Sequence, residues 1–228
     1  MEQEARSNGT CFFYEPSSEA RRVLPKKKTF RATERDRQDV IEKETAFIEA
    51  VSKIPPEDLV FLDEAGSHLG MTRTHGRSLE GERATCKRSA AYKSNISLIG
   101  AVQLSGMCAL YPYDGSIDGD KFLSFLDEHL IPVLPRGKVL IMDNLRVHHI
   151  APVKERLEKA GIGLLYLPPY SPERNPIEET WSIIKRIFRS AEANNIVDFI
   201  NTLKKAREAI TPAKLAGLFR HAGYNQTA

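Results

Sequence analysis

At 228 residues with 41% hydrophobic content, the chain is long enough for one sizeable domain and apolar enough to give it a core. No run approaches the roughly 18 consecutive apolar residues of a membrane span, and the polar start lacks a signal-peptide apolar stretch, so a cytoplasmic protein with no membrane partner is expected. The net charge of +3 names no partner, and Cys11, Cys86 and Cys108, in no Cys-x-x-Cys pair, suggest neither a disulfide framework nor a zinc knuckle and read as reduced thiols.

In chain order, residues 1–20 carry no sustained periodicity. Between Arg21 and Arg37, eight Lys/Arg stand against Glu34 and Asp36, an excess of six positive charges. Such a stretch suits a phosphate backbone or, equally, a solvated basic arm. Thr33 to about Ile54 reads as a helix with Thr33 as N-cap and Val40, Ile41, Phe47, Ile48 and Val51 on its apolar side, ended by Pro55-Pro56. Leu59–Leu62, Ile96–Leu104 and Cys108–Tyr113 read as strands, the last two joined by a turn at Ser105-Gly106, so that the three are antiparallel neighbours. Gly119–Leu134 reads as a helix with Phe122, Phe125, Leu126 and Leu130 inward. Val139–Met142 is apolar enough to be buried on both faces of a parallel sheet. Ala151–Ala160, ended by Gly161, and the strand Ile162–Leu167 complete a strand–helix–strand unit. Helices follow at Pro176 to about Ser190, Ile196–Ile210 and Pro212–His221. The sum is an α/β fold with a mixed sheet covered by helices.

Two apolar strands end on carboxylates, Asp63 after Leu62 and Asp143 after Met142. If those strands are parallel neighbours, both acids meet at the carboxyl edge of the sheet, where α/β proteins place ligands. Either acid alone reads equally as a turn former or cap. Glu178 stands at the third helical position after Asn175 and Pro176, where it fits a capping box to the Asn175 amide. Ile177, Trp181, Ile184 and Phe188 form an apolar stripe; Glu178 borders it, whereas Glu179 points away. Three gathered carboxylates repel one another unless a cation neutralises them, and hard oxygen ligands suit Mg²⁺ or Mn²⁺. A pair of such ions supports in-line phosphoryl transfer without a nucleophilic side chain.

Three segments carry a family resemblance. They are Phe61-Leu62-Asp63-Glu64-Ala65-Gly66, then Met142-Asp143-Asn144-Leu145-Arg146-Val147-His148-His149, then the run from Tyr166 through Pro168-Pro169-Tyr170-Ser171-Pro172 to Asn175-Pro176-Ile177-Glu178. In this order, with 34 residues between Asp143 and Glu178, they resemble the DDE transposases of bacterial insertion sequences in the mariner superfamily. The similarity runs from about Lys26 to Phe188. It implies a ribonuclease H-like mixed five-stranded sheet flanked by helices, and DNA strand cleavage followed by strand transfer. It also implies two Mg²⁺ ions, replaceable by Mn²⁺, on Asp63, Asp143 and Glu178. The partners it implies are transposon-end and target DNA, bound by a dimer in a synaptic complex, with the chain nucleoid-associated when on DNA.

Such transposases join paired helix-turn-helix modules to the catalytic domain, and no convincing pair precedes Asp63 here. A catalytic half is therefore expected, served by a separate helix-turn-helix subunit or reading frame. Its parts are a variable lead, basic linker and helix (1–54), a catalytic domain (55–192) and a C-terminal helical extension (193–228). The alternatives are a simple ribonuclease H-like nuclease and a non-catalytic DNA-binding or partner fragment. Glu64, Asn144 and His148 are candidates to support the acids or touch DNA, although His148-His149 also suits a helix cap. Arg77, Lys87 and Arg88, with Arg73, His75 and Arg83, make the segment after Asp63 basic and able to grip a strand, or else a solvated face. Tyr170 reads as a packing residue, with base stacking as the alternative, and Trp181 as core.

Overall fold

The structure, a computed structural model, describes residues 33–85 and 95–224. Most of the basic segment, along with Cys11, Cys86, Lys87 and Arg88, lies outside the described residues. The helices are α1 (Gln38–Val51), α2 (Gly119–Phe125), α3 (Ala151–Ala160), α4 (Pro176–Ala191), α5 (Ile196–Glu208) and α6 (Pro212–His221). The strands are β1 (Leu59–His68), β2 (Asn95–Gln103), β3 (Gly106–Asp114), β4 (Val139–Met142) and β5 (Gly163–Tyr166). They form one five-stranded sheet in the order β3-β2-β1-β4-β5. β1, β2 and β3 are antiparallel neighbours, while β4 and β5 run parallel to β1.

Helices cover both faces, and the alternation of strand side chains feeds two cores. Leu59, Phe61 and Ile141 face α1, α4, α5 and α6, joining Trp181, Ile184, Phe199 and Phe219. Val60, Leu62, Leu140 and Met142 face α2 and α3, joining Phe122, Phe125, Val153 and Leu157. Buried on both sides, the central pair β1 and β4 must be apolar at consecutive positions, which is why Leu59–Leu62 and Val139–Met142 read as unbroken runs.

Several expected elements differ in extent. β1 does not stop at Leu62 but continues to His68, because Asp63–His68 keep pairing with β2 after β4 has ended. The first helix starts at Gln38 after a short 3₁₀ turn at Thr33–Asp36, and no side chain caps it. On that helix Val40, Phe47 and Val51 are buried, whereas Ile41 and Ile48 are 45% and 39% exposed, so its apolar face is narrower than expected. After Phe125, α2 widens into a π turn at Leu126–Leu130 and then tightens at Ile131–Val133. Pro132 accounts for this break: it has no N–H for an α-helical bond, and its ring crowds the carbonyl four residues earlier. Phe122, Phe125, Leu126 and Leu130 all remain fully buried. α3 ends as expected, with Gly161 left-handed at φ 70° and its N–H on the Glu158 carbonyl. No described helix is long and apolar enough to cross a membrane.

An ion cluster ties α1 to the loop before α4. Glu44 accepts from Arg35 and Arg174, each at 3.0 Å, and Arg35 also pairs with Glu173. Arg35, described within the basic segment, is thus engaged inside the fold and is not a free arm. Burial alone would raise the Glu44 carboxyl, but hydrogen bonds from Arg174 and Arg35 hold it below its ordinary value of 4.5. A carboxylate depressed on folding contributes stability above its unfolded pKa and loses it as pH falls through the folded value. Glu44→Gln is therefore expected to cost about 2 kcal/mol at pH 7 in urea denaturation, and the gap from wild type should close on acidification below pH ~4.

Candidate active site

The register of β1 and β4 builds the site. Phe61 pairs with Ile141 in the parallel ladder, so Asp63 and Asp143, each two residues on, come to the same level. β4 ends at Met142 and the chain turns away, which leaves Asp143 at the fork between the strands. Glu178 arrives from the first turn of α4. All three acids line one pocket of about 270 Å³, together with Asn144, Leu145, Asn175 and the loop Leu167–Pro172.

Helix-start geometry decides between the two roles of Glu178. The Asn175 N–H donates to the Pro172 carbonyl at 2.9 Å, so it is not available for a capping box. Asn175 makes no side-chain cap either. Glu178 is left exposed at the pocket rim, while Glu179 points outward and pairs with His221 at 2.6 Å.

Asp63 forms the pocket floor, only 8% exposed. Trp181 Nε1–H donates to its Oδ2 at 3.1 Å. Trp181 belongs to the core, as expected from the stripe, but the bond from its indole to the acid was not legible in the sequence. Gly100, the cross-strand partner of Asp63, makes room for that indole. A Cβ at Gly100 would lie 2.8 Å from Trp181 Cη2.

Glu64, next in β1, points through the opposite face of the sheet. Its Oε1 lies 2.9 Å from His148 Nε2, and His148 Nδ1 lies 2.9 Å from Asp143 Oδ1. The ring is fully buried and packs on Phe122 at 4.7 Å. His148 is therefore no helix cap; α3 is capped at Ile150 without a side-chain bond. Asn144 Nδ2 donates to the Leu167 carbonyl at 2.6 Å, which joins the turn after β4 to the loop before α4. Its Oδ1 lies 3.3 Å from His149 Nε2, and the His149 ring stacks on Tyr166.

The basic candidates among the described residues lie elsewhere. Arg73 and His75 line a groove on the outer side of α4 with Arg186 and Arg189. Arg77 is exposed and does not line the acid pocket.

The electrostatics are uneven across the three acids. Burial, then the charges of Glu178, Glu64 and Asp143, push Asp63 up to about 7. Burial also acts against ionised Asp143, but His148 and the Leu145 N–H hold it below its ordinary value. Glu178 is raised by desolvation in the pocket and by Asp143, with Lys185 opposing. His148 loses by burial and gains more from Asp143 and Glu64, ending at about 10, so it is an imidazolium at neutral pH.

Among the described residues, no three His, Cys, Asp or Glu side chains close tightly enough to form a ready-made metal cage. The donor chemistry nonetheless fits a hard divalent cation. The pocket offers carboxylate oxygens and no nitrogen or sulfur ligand, and the proton that Asp63 retains to about pH 7 marks negative charge without a positive partner.

No curated protein matches the chain by sequence. The family described as DDE superfamily endonuclease matches residues 58–208, a span that holds the whole sheet and all three acids. Among solved structures, the Mos1 strand transfer complex is similar with a TM-score of 0.68 at 16% identity, over 88% of this chain and 63% of that one. The mariner Mos1 paired end complex with Mg gives 0.66 at 14% identity, over 88% and 65%. The catalytic domain of Mos1 mariner transposase gives 0.62 at 12% identity, over 89% and 94%. The chain thus spans less than two thirds of the Mos1 chain in those complexes, and the shared architecture is the ribonuclease H-like fold.

Two outcomes follow for the metal-free protein. Asp63 is raised on folding, so its stabilising protonated form is complete near pH 4 and is lost as pH rises to about 7. In EDTA, Asp63→Asn should gain over wild type across that window and stay roughly 2–4 kcal/mol more stable at pH 8 by chemical denaturation. Gly100→Ala should displace the Trp181 indole, costing about 1–3 kcal/mol and shifting tryptophan emission, which reports on this ring alone because the chain has one Trp.

Proposed function

The chain belongs to the DDE superfamily of endonucleases, and from that premise we propose that it is the catalytic domain of a transposase that cuts DNA and joins the freed 3′-hydroxyl to a target. The observation that carries this reading is the convergence of Asp63, Asp143 and Glu178 in one pocket, at the end of the parallel β1–β4 pair. Those three acids would hold two Mg²⁺ ions, with Mn²⁺ as a substitute. Bound there, the ions supply activation of the attacking oxygen and stabilisation of the leaving oxygen.

The protein's own part is to fix and charge the ligands. Trp181 engages one oxygen of Asp63. His148, held by Glu64, fixes one oxygen of Asp143 and keeps that group ionised. Asn144 holds the turn after β4 against the loop that leads to Glu178. None of these groups needs to act as a nucleophile, since water or a 3′-hydroxyl supplies the attacking oxygen.

The finer reading extends the same proposal. The partners are transposon ends and target DNA, brought together by a dimer; a Mos1 strand transfer complex and a Mos1 paired end complex are among the similar structures that support this reading. A helix-turn-helix reader is supplied separately, from an insertion-sequence element, and the chain acts in the cytoplasm on nucleoid DNA. Residues 55–192 form the catalytic domain proper, with 1–54 as its lead and 193–228 as its helical extension.

The test is nicking of supercoiled and transposon-end DNA by the full chain with Mg²⁺, with and without an added reader protein. Asp63→Ala, Asp143→Ala and Glu178→Ala should each lower the rate by roughly three orders of magnitude or more, several kcal/mol at 1.4 kcal/mol per tenfold. His148→Phe should cost about 10–100-fold, with Mg²⁺ affinity by calorimetry falling alongside. Undiminished nicking by any of the three alanine variants would remove that acid from the mechanism. Hydrolysed products without joined strands would reduce the assignment to a nuclease.

A further inference from the structure

Tyr170 stands in the wall of the acid pocket. Its backbone is left-handed, with φ 59°, a conformation shared by only one other non-glycine among the described residues. Both sides of it are anchored. Pro168 is buried, Ser171 is 3% exposed, and the Ser171 hydroxyl donates to the Pro169 carbonyl at 3.3 Å. Pro172 further restricts Ser171 and opens the 3₁₀ turn that leads into α4. The loop therefore imposes the left-handed geometry at this position. Glycine or asparagine would hold it with less strain than a bulky aromatic.

Packing does not account for the ring. Tyr170 is 50% exposed, and none of the ring–ring contacts among the described residues includes it. The contrast with Tyr166 and Tyr224 is direct: their hydroxyls donate to backbone carbonyls at 2.8 and 2.7 Å. The expectation that Tyr170 packs is thus overturned. What remains is an aromatic face on a rigid loop, flanked by proline, next to three carboxylates.

Resting on the phosphoryl-transfer reading above, we infer that Tyr170 is a stacking platform for the base of an unpaired nucleotide next to the scissile phosphate. A pocket lined by acids repels the sugar–phosphate strand everywhere except where cations sit. The attached base needs an uncharged surface, and an exposed tyrosine ring with its proline neighbours supplies one. In a duplex, neighbouring bases cover both faces, so a ring at the pocket rim can engage only a frayed or flipped base. Stacking accepts any base, so this contact positions the strand without reading its sequence.

The experiment uses the full chain in Ca²⁺ with a forked DNA that carries 2-aminopurine in its unpaired arm. Wild type, Tyr170→Phe and Tyr170→Trp should quench the probe. Tyr170→Asn suits the left-handed backbone and removes the ring, so it should melt at or above the wild-type temperature. It should also fail to quench, and should bind forked DNA about 5- to 150-fold more weakly, with affinity for fully paired duplex unchanged. Quenching and affinity at wild-type level in Tyr170→Asn would overturn the inference, as would a wild-type chain that binds forked DNA without quenching. The readout needs no strand scission, so a wild type that quenches but does not nick in Mg²⁺ even with the reader protein added would overturn the catalytic reading while leaving the stacking site standing. A wild type that neither nicks nor binds forked DNA with the reader protein added would overturn both.

Discussion

Asp63 is a carboxylate buried in the sheet whose neutral donors, the Trp181 indole and the Glu64 backbone N–H, are outweighed by burial and by the charges of Glu178, Glu64 and Asp143 around it. Left to itself, such a group retains its proton toward neutral pH, and the folded chain is less stable for carrying it ionised. The surrounding architecture maintains this unfavourable arrangement. The parallel register of β1 and β4 sets Asp143 level with Asp63. Gly100 lets the indole reach over β2. The first turn of α4 brings Glu178 to the rim without diverting it into a cap. A fold selected for stability alone would have placed an apolar residue at position 63, continuing the run from Leu59. That it does not is the physical argument for a site, because strain of this kind persists where function requires it.

Successive residues of β1 divide the work by facing opposite sides of the sheet. Asp63 looks toward α4 and Glu64 toward α2, a consequence of the period of two in a strand. His148 joins the far side to the near one, since it is held by Glu64 and itself holds Asp143. The two principal acids are thereby pushed in opposite directions: Asp143 is lowered by a buried imidazolium and Asp63 is raised by burial and like charge. Separating the titration of neighbouring carboxylates by their surroundings is a recurrent feature of catalytic sites. Here it is produced by one extra residue of strand and one buried ring.

What could be read from the sequence was whatever depends on local pattern. Val139–Met142, Ala151–Ala160 with its terminal Gly161, and the stripe Ile177, Trp181, Ile184 and Phe188 each carry their own periodicity, and all appear in the structure as read. The choice of Glu178 over Glu179 followed from helical angle alone. What could not be read depends on residues far apart in the chain. The length of β1 beyond Asp63 is set by pairing with β2, whose nearest strand residue is Asn95. The partner that makes His148 more than a cap is 84 residues away. Gly100 looks like an interruption of an apolar strand until Trp181 lies across it. Ile41 and Ile48 show the reverse error, since their spacing suits a helix face that the fold leaves uncovered.

The physical unit that supports the acids is wider than the span matching the family, residues 58–208. Arg35 and Glu44, ahead of that span, clamp Arg174 in the loop that fixes the entry angle of α4. Tyr224, beyond it, donates to the Arg174 carbonyl at 2.7 Å from the other side. The rings of Phe219 and Tyr224 pack on Phe61 at 5.2 and 4.8 Å, directly beneath the strand segment that bears Asp63. Segments from both sides of the sheet domain therefore brace α4 and β1, the two elements that carry Glu178 and Asp63. Under the proposed metal-binding role, which tolerates only small displacements of the ligands, the helices that flank the sheet belong to the device that sets the spacing of its carboxylates.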